Sequence, residues 1–358
     1  MTFAAHAGPE SRPGGILQRG GHCPIYLQGW WWEIASGGRQ KTVAVYEDGR
    51  KLGQLLYFPQ TRSSLRFCKL AEGVHAPWTN YCAPTINEGP GEGGAARQGE
   101  IAYKLARQLP RNISYRLTCP HFIDAAVLNG FERADFQIST QKSYIIDPRG
   151  APAAALARLD MSTRQRYRKA EKKLDIVEIA PSTFFHLYRR DLAARAKTSY
   201  HDLNIAEKLA SICRSRGAGC IRITAAKGKD AIDSSDHSYY AAIACLQDDA
   251  FSYYWMSTRH SHVIDPAIRN GAVKLLLVDA IEHASQAGLI FDFDGAASHG
   301  SGELYQGFRG TEVNRYVLTR KTLSARLVEA VRPLASSAFA KGFARHQRLV
   351  PRRDRSAA

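Results

Sequence analysis

Two carboxylates, Asp292 and Asp294, close the apolar run Leu289-Ile290-Phe291-Asp292-Phe293-Asp294-Gly295. Strand alternation puts them on one face and Phe291 and Phe293 on the other. A carboxylate whose pKa is raised by burial can accept the proton of an attacking amine, so either aspartate is a candidate general base. The same pair can instead satisfy backbone N–H groups at the strand end or pair with Arg309, and both readings stay open. Upstream, Arg269-Asn270-Gly271-Ala272 reads as a glycine-punctuated loop feeding a helix. Unpaired N–H groups and the positive dipole end at such a place receive phosphate, and Arg269 adds charge. These four residues are candidate donor-binding groups, with a plain helix start as the alternative. Tyr305 and Phe308 follow at i, i+3, the spacing of packed aromatics.

A second constellation is basic. Between Arg158 and Lys173 the chain holds seven Lys or Arg against two acids, and Arg164, Arg168 and Lys172 recur at i, i+4, i+8. Such a stripe can grip phosphates of tRNA or an anionic membrane surface, or be a solvated face. Trp78 and Tyr81 lie in a Pro-bounded loop where aromatics can line an acceptor groove or pack inward; with Arg309 they are the candidate substrate-binding residues. The histidines are dispersed, His260-Ser261-His262 has no distal third ligand, and no metal site is expected. No Gly-x-Ser-x-Gly elbow occurs.

The elements that must carry these residues alternate between helix and strand. Thr42–Tyr46 and Leu52–Phe58 flank Asp48-Gly49 as a hairpin, preceded by an aromatic helix over Tyr26–Ala35. Pro84–Gly99 reads as a loop and Glu100–Leu109 as a helix. Ile113–Leu117 and Gln141–Ile146 read as strands around a helical turn at Asp124–Asn129. After a Pro/Gly-rich stretch, Ser162 is the expected N-cap of a helix to about Leu174. Helices over Thr183–Arg195 and Ala206–Arg214, strands over Ile221–Ala226, Ser238–Leu246 and Phe251–Ser257, a helix over Ala272–Gln286, a strand over Leu289–Phe293, a short helix over Gly302–Phe308 and a strand over Val313–Leu318 follow. Gly228–Asp236 is a polar insertion and Ser324–Phe343 a helical tail ending in Arg-rich residues.

The 358 residues, 44% of them hydrophobic, suffice for two domains, and the order of elements is faintly repeated. The expected division is 22–150, 151–320 and a tail 321–358. No run approaches a membrane span, the seven cysteines form no C-x-x-C pair, and a cytoplasmic setting is expected. The formal net charge of +16 favours a polyanionic partner.

With these segments in place the chain resembles the FemAB-like branch of the GNAT acyltransferase superfamily, in which two GNAT-type domains sit in tandem. The likeness rests on Trp30-Trp31-Trp32-Glu33, Ala76-Pro77-Trp78-Thr79-Asn80-Tyr81, Gly130-Phe131-Glu132 through Tyr144-Ile145-Ile146-Asp147, the helix Ser162-Thr163-Arg164-Gln165-Arg166-Tyr167-Arg168-Lys169-Ala170-Glu171, and Phe291-Asp292-Phe293-Asp294-Gly295. It implies an α/β (α+β) fold of two tandem domains with mixed central sheets flanked by helices, the donor site in the second. It also implies N-acyl transfer from an acyl thioester such as acyl-CoA to an amine or hydroxyl of a cell-envelope precursor, glycan or small metabolite. Acyl-CoA or, in the peptidoglycan-crosslinking members, aminoacyl-tRNA is then a co-substrate, with no permanently bound cofactor. Under this resemblance Arg269–Ala272 stand where a pyrophosphate loop belongs, and Tyr305 stands where a phenol can protonate a departing thiolate. The segment Leu304-Tyr305-Gln306-Gly307-Phe308-Arg309-Gly310 lacks the Phe-Lys pair usual there, which counts against the aminoacyl-tRNA version. The reading from another class is a non-catalytic RNA- or membrane-surface-binding protein.

Overall fold

The protein is described by a computed structural model covering residues 23–65, 68–87, 94–148, 155–216, 220–230, 238–295 and 299–327. In chain order the elements are α1 (Gly29–Ser36), β1 (Lys41–Glu47), β2 (Arg50–Leu65), β3 (Cys68–Val74), β4 (Thr85–Ile86), α2 (Gly94–Gln108), β5 (Ser114–Cys119), α3 (Ala125–Arg133) and β6 (Gln137–Ile146). Then come α4 (Ala155–Arg158), α5 (Met161–Glu171), β7 (Leu174–Glu178), α6 (Pro181–Ala194), α7 (Leu203–Ser215), β8 (Ile221–Gly228), β9 (Tyr239–Gln247), β10 (Phe251–Arg259), α8 (Pro266–Gln286), β11 (Ile290–Asp292), α9 (His299–Gln306) and β12 (Thr311–Arg320).

The strands form one mixed sheet in the order β1-β2-β3-β5-β12-β6-β11-β10-β9-β8-β7, with β4 beside β2. Each half contributes its last strand to the other: β12 pairs with β5, and β6 pairs with β11. The two parallel pairs, β3–β5 and β10–β11, are short. In β9, Ala241, Ile243 and Cys245 belong to the apolar cluster of α8, while Ala242, Ala244 and Leu246 belong to that of α6 and α7. The period of two therefore buries both faces of this strand, and helices cover the sheet on each side.

Local signals explain many boundaries. Asp48 and Gly49 both take positive φ, 50° and 77°, as a tight hairpin requires. Asp124 caps α3 by accepting the Ala126 N–H at 2.7 Å. Three expectations need correction. Residues Gly94–Gly99 are helical rather than loop, because α2 packs backbone to backbone on α3: a Cβ on Gly130 would lie 2.3 Å from the Gly99 carbonyl oxygen. The cap of α5 is Asp160, whose carboxylate accepts the Thr163 N–H at 2.6 Å, not Ser162, and Leu174 already starts β7. Third, α8 begins at Pro266, so Arg269, Asn270, Gly271 and Ala272 lie within a helix and form no loop. Residues 323–327 are helical; the remainder of the expected tail, and 231–237 of the polar insertion, fall outside the described residues. No described helix is long and apolar enough to cross a membrane.

Candidate active site

The parallel pairing of β10 with β11 runs from Phe251↔Ile290 to Tyr253↔Asp292 and ends there. Beyond it β10 continues through a bulge at Tyr254/Met256 to Arg259, whereas the chain after β11 turns away. That turn is made by Asp294, at φ 47°, whose N–H donates to Asp292 Oδ1 at 2.8 Å. The two aspartates therefore stand where neighbouring strands part.

Four elements converge on them. From β12, Arg315 Nη2 donates to Asp292 Oδ1 and Oδ2 at 3.3 and 3.2 Å and to Asp294 Oδ1 at 2.8 Å. From the short 3-10 turn before α1, the Tyr26 hydroxyl donates to Asp294 Oδ2. Asn80, half-buried in the loop after β3, donates its Nδ2–H to the same oxygen at 2.6 Å. His121, just past β5, places Nδ1 3.8 Å from Asp292 Oδ2 with its side chain 3% exposed. A second chain runs beside the first: Tyr81 donates to the Tyr253 hydroxyl at 2.8 Å, which donates to Asp248 Oδ2 at 2.9 Å.

One cation here faces two carboxylates, all three groups buried. Burial raises the Asp294 pKa above the ordinary carboxylate value and outweighs the lowering by Arg315; Asp292 adds to the rise. Burial disfavours the Arg315 cation, but the two aspartates outweigh it and push its pKa up. Burial, then the Asp294 charge, holds the Tyr26 phenol well above its usual range, so it remains a donor. Burial lowers His121 despite Asp292 beside it, leaving the imidazole neutral at pH 7. Its Nδ1 and the Nε of Arg315 are buried with no hydrogen-bond partner among the described residues. The arrangement can accept one proton at Asp294 while its neighbours stay charged or donating.

No protein-family model matches the sequence, and no curated protein matches it. Among solved structures, the crystal structure of FemX superposes with a TM-score of 0.55 at 12% identity, covering 86% of this chain and 93% of that one. The fold is FemX-like. L-PGS from Bacillus licheniformis matches at TM-score 0.48 and 10% identity over 84% of this chain and 90% of its own. A tandem GNAT protein from the clavulanic acid biosynthesis pathway matches at 0.42 and 11% over 78% and 82%.

Within this FemX-like fold the expected site residues separate. Asp292 and Asp294 come together, and the arginine that pairs them is Arg315, not Arg309, which is exposed at the end of α9 with φ 50°. Tyr305 is buried on the α8 face, 4.5 Å from the Phe293 ring and 6.1 Å from Tyr144, opposite the face that carries the aspartates. Tyr81 is fully buried beside Tyr26 at 4.9 Å, so it packs rather than lines a groove. Half-buried Trp78, at φ 61°, donates to the Asp202 carbonyl at 2.9 Å and accepts from Trp255 Nε1 at 3.1 Å. The same loop ties Cys82 N–H to the Thr118 carbonyl of its own half at 2.7 Å, while Trp78 and Asn80 reach Asp202, Trp255 and Asp294 of the other.

The helical placement of Arg269–Ala272 commits their backbone. Arg269 N–H donates to the Asp265 carbonyl at 2.9 Å, and Gly271 exists for contact: a Cβ there would lie 2.5 Å from the Arg166 carbonyl oxygen. On α5, Arg164 leaves the expected stripe and spends its guanidinium on the carbonyls of Ala157 and Leu159 at 3.0 and 3.1 Å. Arg168 and Lys172 remain exposed, with Arg166 and Lys169. Arg315, Tyr26 and His121 were not singled out from the sequence. An arginine inside the apolar closing strand was a usable signal for the first; for His121 there was none.

Proposed function

We propose that this chain is an acyltransferase, moving an acyl group from a thioester donor such as acyl-CoA to an amine or hydroxyl of a small-molecule or cell-envelope-precursor acceptor. The observation that carries the proposal is Asp294, a buried carboxyl with raised pKa set where β10 and β11 part, bonded to Tyr26, Asn80 and Arg315. In this reading the acceptor approaches past half-buried Asn80. As its N–C or O–C bond forms, its proton passes to Asp294. Collapse of the tetrahedral adduct then breaks the C–S bond, and the departing thiolate takes a proton back. Arg315, whose pKa is pushed up by the two aspartates, stays charged throughout and holds Asp292 and Asp294 in place through its Nη2. Holding the two reactants together can supply about 7–11 kcal/mol of the barrier, and the positioned base a further 10²–10⁴-fold or so.

A second donor, aminoacyl-tRNA, is favoured by one specific observation. The N-terminus of α8 is already capped by its own chain: Pro266 has no N–H, Ala267 N–H goes to Asp265 Oδ1 at 2.8 Å, and Arg269 N–H to the Asp265 carbonyl at 2.9 Å. This end has little left to offer a pyrophosphate, while exposed Arg166, Arg168, Lys169 and Lys172 can hold phosphates through side chains.

Thermal melting with coenzyme A, an acyl-CoA and aminoacyl-tRNA separates the donors, since a ligand that binds the native state raises Tm. A shift with the thioester alone supports the first reading; a shift with tRNA alone transfers the proposal to the second. With the donor known, Asp294→Asn should lower kcat by roughly 10²–10⁴ at unchanged donor affinity. Full activity in that variant removes Asp294 as the base.

A further inference from the structure

The basic helix has a second property that an RNA grip does not require. On α5 the inward residues are Thr163, beside Gly307, and Tyr167 and Ala170, which join the apolar cluster of α8 and β7. At 100° per residue the opposite pole carries Met161, Gln165, Arg168 and Lys172, with Lys169 at its flank, and all five are exposed. Met161 is 75% exposed, and Ile264, just before α8, is 91% exposed. Ile264 lies near the C-terminal end of α5, because Lys173 there binds the neighbouring Asp265 at 2.6 Å. Lys229 is tied to the same corner by its N–H on the Lys173 carbonyl at 3.0 Å. Arg168, Lys169 and Lys172 have no carboxylate partner among the described residues. A row of cations is thus bracketed by two apolar side chains in water.

We infer that this outer face of α5, from Met161 to the Lys173–Asp265 corner, docks the protein on an anionic lipid bilayer, the cations meeting lipid phosphates and Met161 and Ile264 entering the acyl boundary. Phosphates of either RNA or lipid would draw the cations, but only a bilayer rewards burying the two apolar side chains. The inference does not rest on the thioester reading; it shares its cations with the aminoacyl-tRNA reading, and Met161 and Ile264 are what separate the two.

Co-sedimentation with vesicles tests it: phosphatidylcholine alone, and phosphatidylcholine mixed with phosphatidylglycerol, each at low and at physiological salt. Binding should appear with phosphatidylglycerol only and weaken with salt. Each cation near such a surface contributes about 1 kcal/mol, so replacing Arg168, Lys169 and Lys172 together by Gln should lower the partition coefficient on the order of 100-fold. Met161→Ser with Ile264→Ser should lower it about tenfold or more while leaving total tRNA binding unchanged. All five side chains are exposed, so these variants fold, which an unchanged Tm verifies. No binding to phosphatidylglycerol vesicles, or binding that ignores either set of substitutions, overturns the proposal; tRNA binding lost only with the triple variant, in the absence of vesicle binding, would make the partner RNA.

Discussion

Replacing Arg315 by Met takes away a guanidinium that is 2% exposed and bonded to both aspartates at 2.8 to 3.3 Å. Methionine keeps an unbranched stem of similar reach near the Tyr81 ring, which the guanidinium approaches at 5.6 Å. The electrostatic loss therefore dominates over packing. Removing one partner of a buried ion pair costs about 3–5 kcal/mol, and here two like charges are left together, which places the cost toward the upper end. Against a total stability of about 5–15 kcal/mol this is a large fraction, yet the variant can stay folded. The pH dependence has a definite sign. Burial already raises the Asp294 pKa and Arg315 opposes that rise, so without the cation the folded carboxyl holds its proton over a wider window than the unfolded chain, which titrates near about 3.9. Where the native state binds more protons, stability falls as pH rises. The deficit should thus be smaller near about pH 5 than near about pH 8 in urea unfolding followed by circular dichroism. A deficit under about 1 kcal/mol, or one equal at both pH values, would refute the claim that Arg315 opposes the burial-driven rise of the Asp294 pKa.

Two further outcomes follow from the geometry. Gly271→Ala puts a methyl 2.5 Å from the Arg166 carbonyl oxygen and 2.6 Å from Ala170 Cβ, so it should cost about 1–3 kcal/mol of stability by calorimetry; an unchanged Tm would disprove the close α5–α8 contact. His121 has its folded pKa lowered by burial, so its contribution is present above the unfolded value of about 6.5 and is lost as pH falls below it. His121→Gln should flatten the stability–pH slope in that acid window without abolishing it, because burial lowers His75 in the same direction; an identical slope in both proteins would show that His121 is not held in a desolvated site.

What could be read from the chain alone was what short-range chemistry decides. The Asp48-Gly49 turn, the helical turn at Asp124–Asn129 and the placing of Asp292 and Asp294 on the face opposite Phe291 and Phe293 need only neighbours a few residues away. The α2 start was misread because Gly94–Gly99 looks like a loop until α3 comes close enough to demand the absence of side chains. The glycine at 271 misled in the same way, its reason lying on α5 rather than in a loop. The partners of Asp294 were beyond any local pattern: Tyr26 is 268 residues away in sequence, Asn80 214 and Arg315 21. They meet because the halves exchange their closing strands, β12 lying between β5 and β6. Periodicity reports which face a residue shows, but the choice of which strand it will sit beside is made by pairing across the whole sheet, and with it the charge that Asp294 carries.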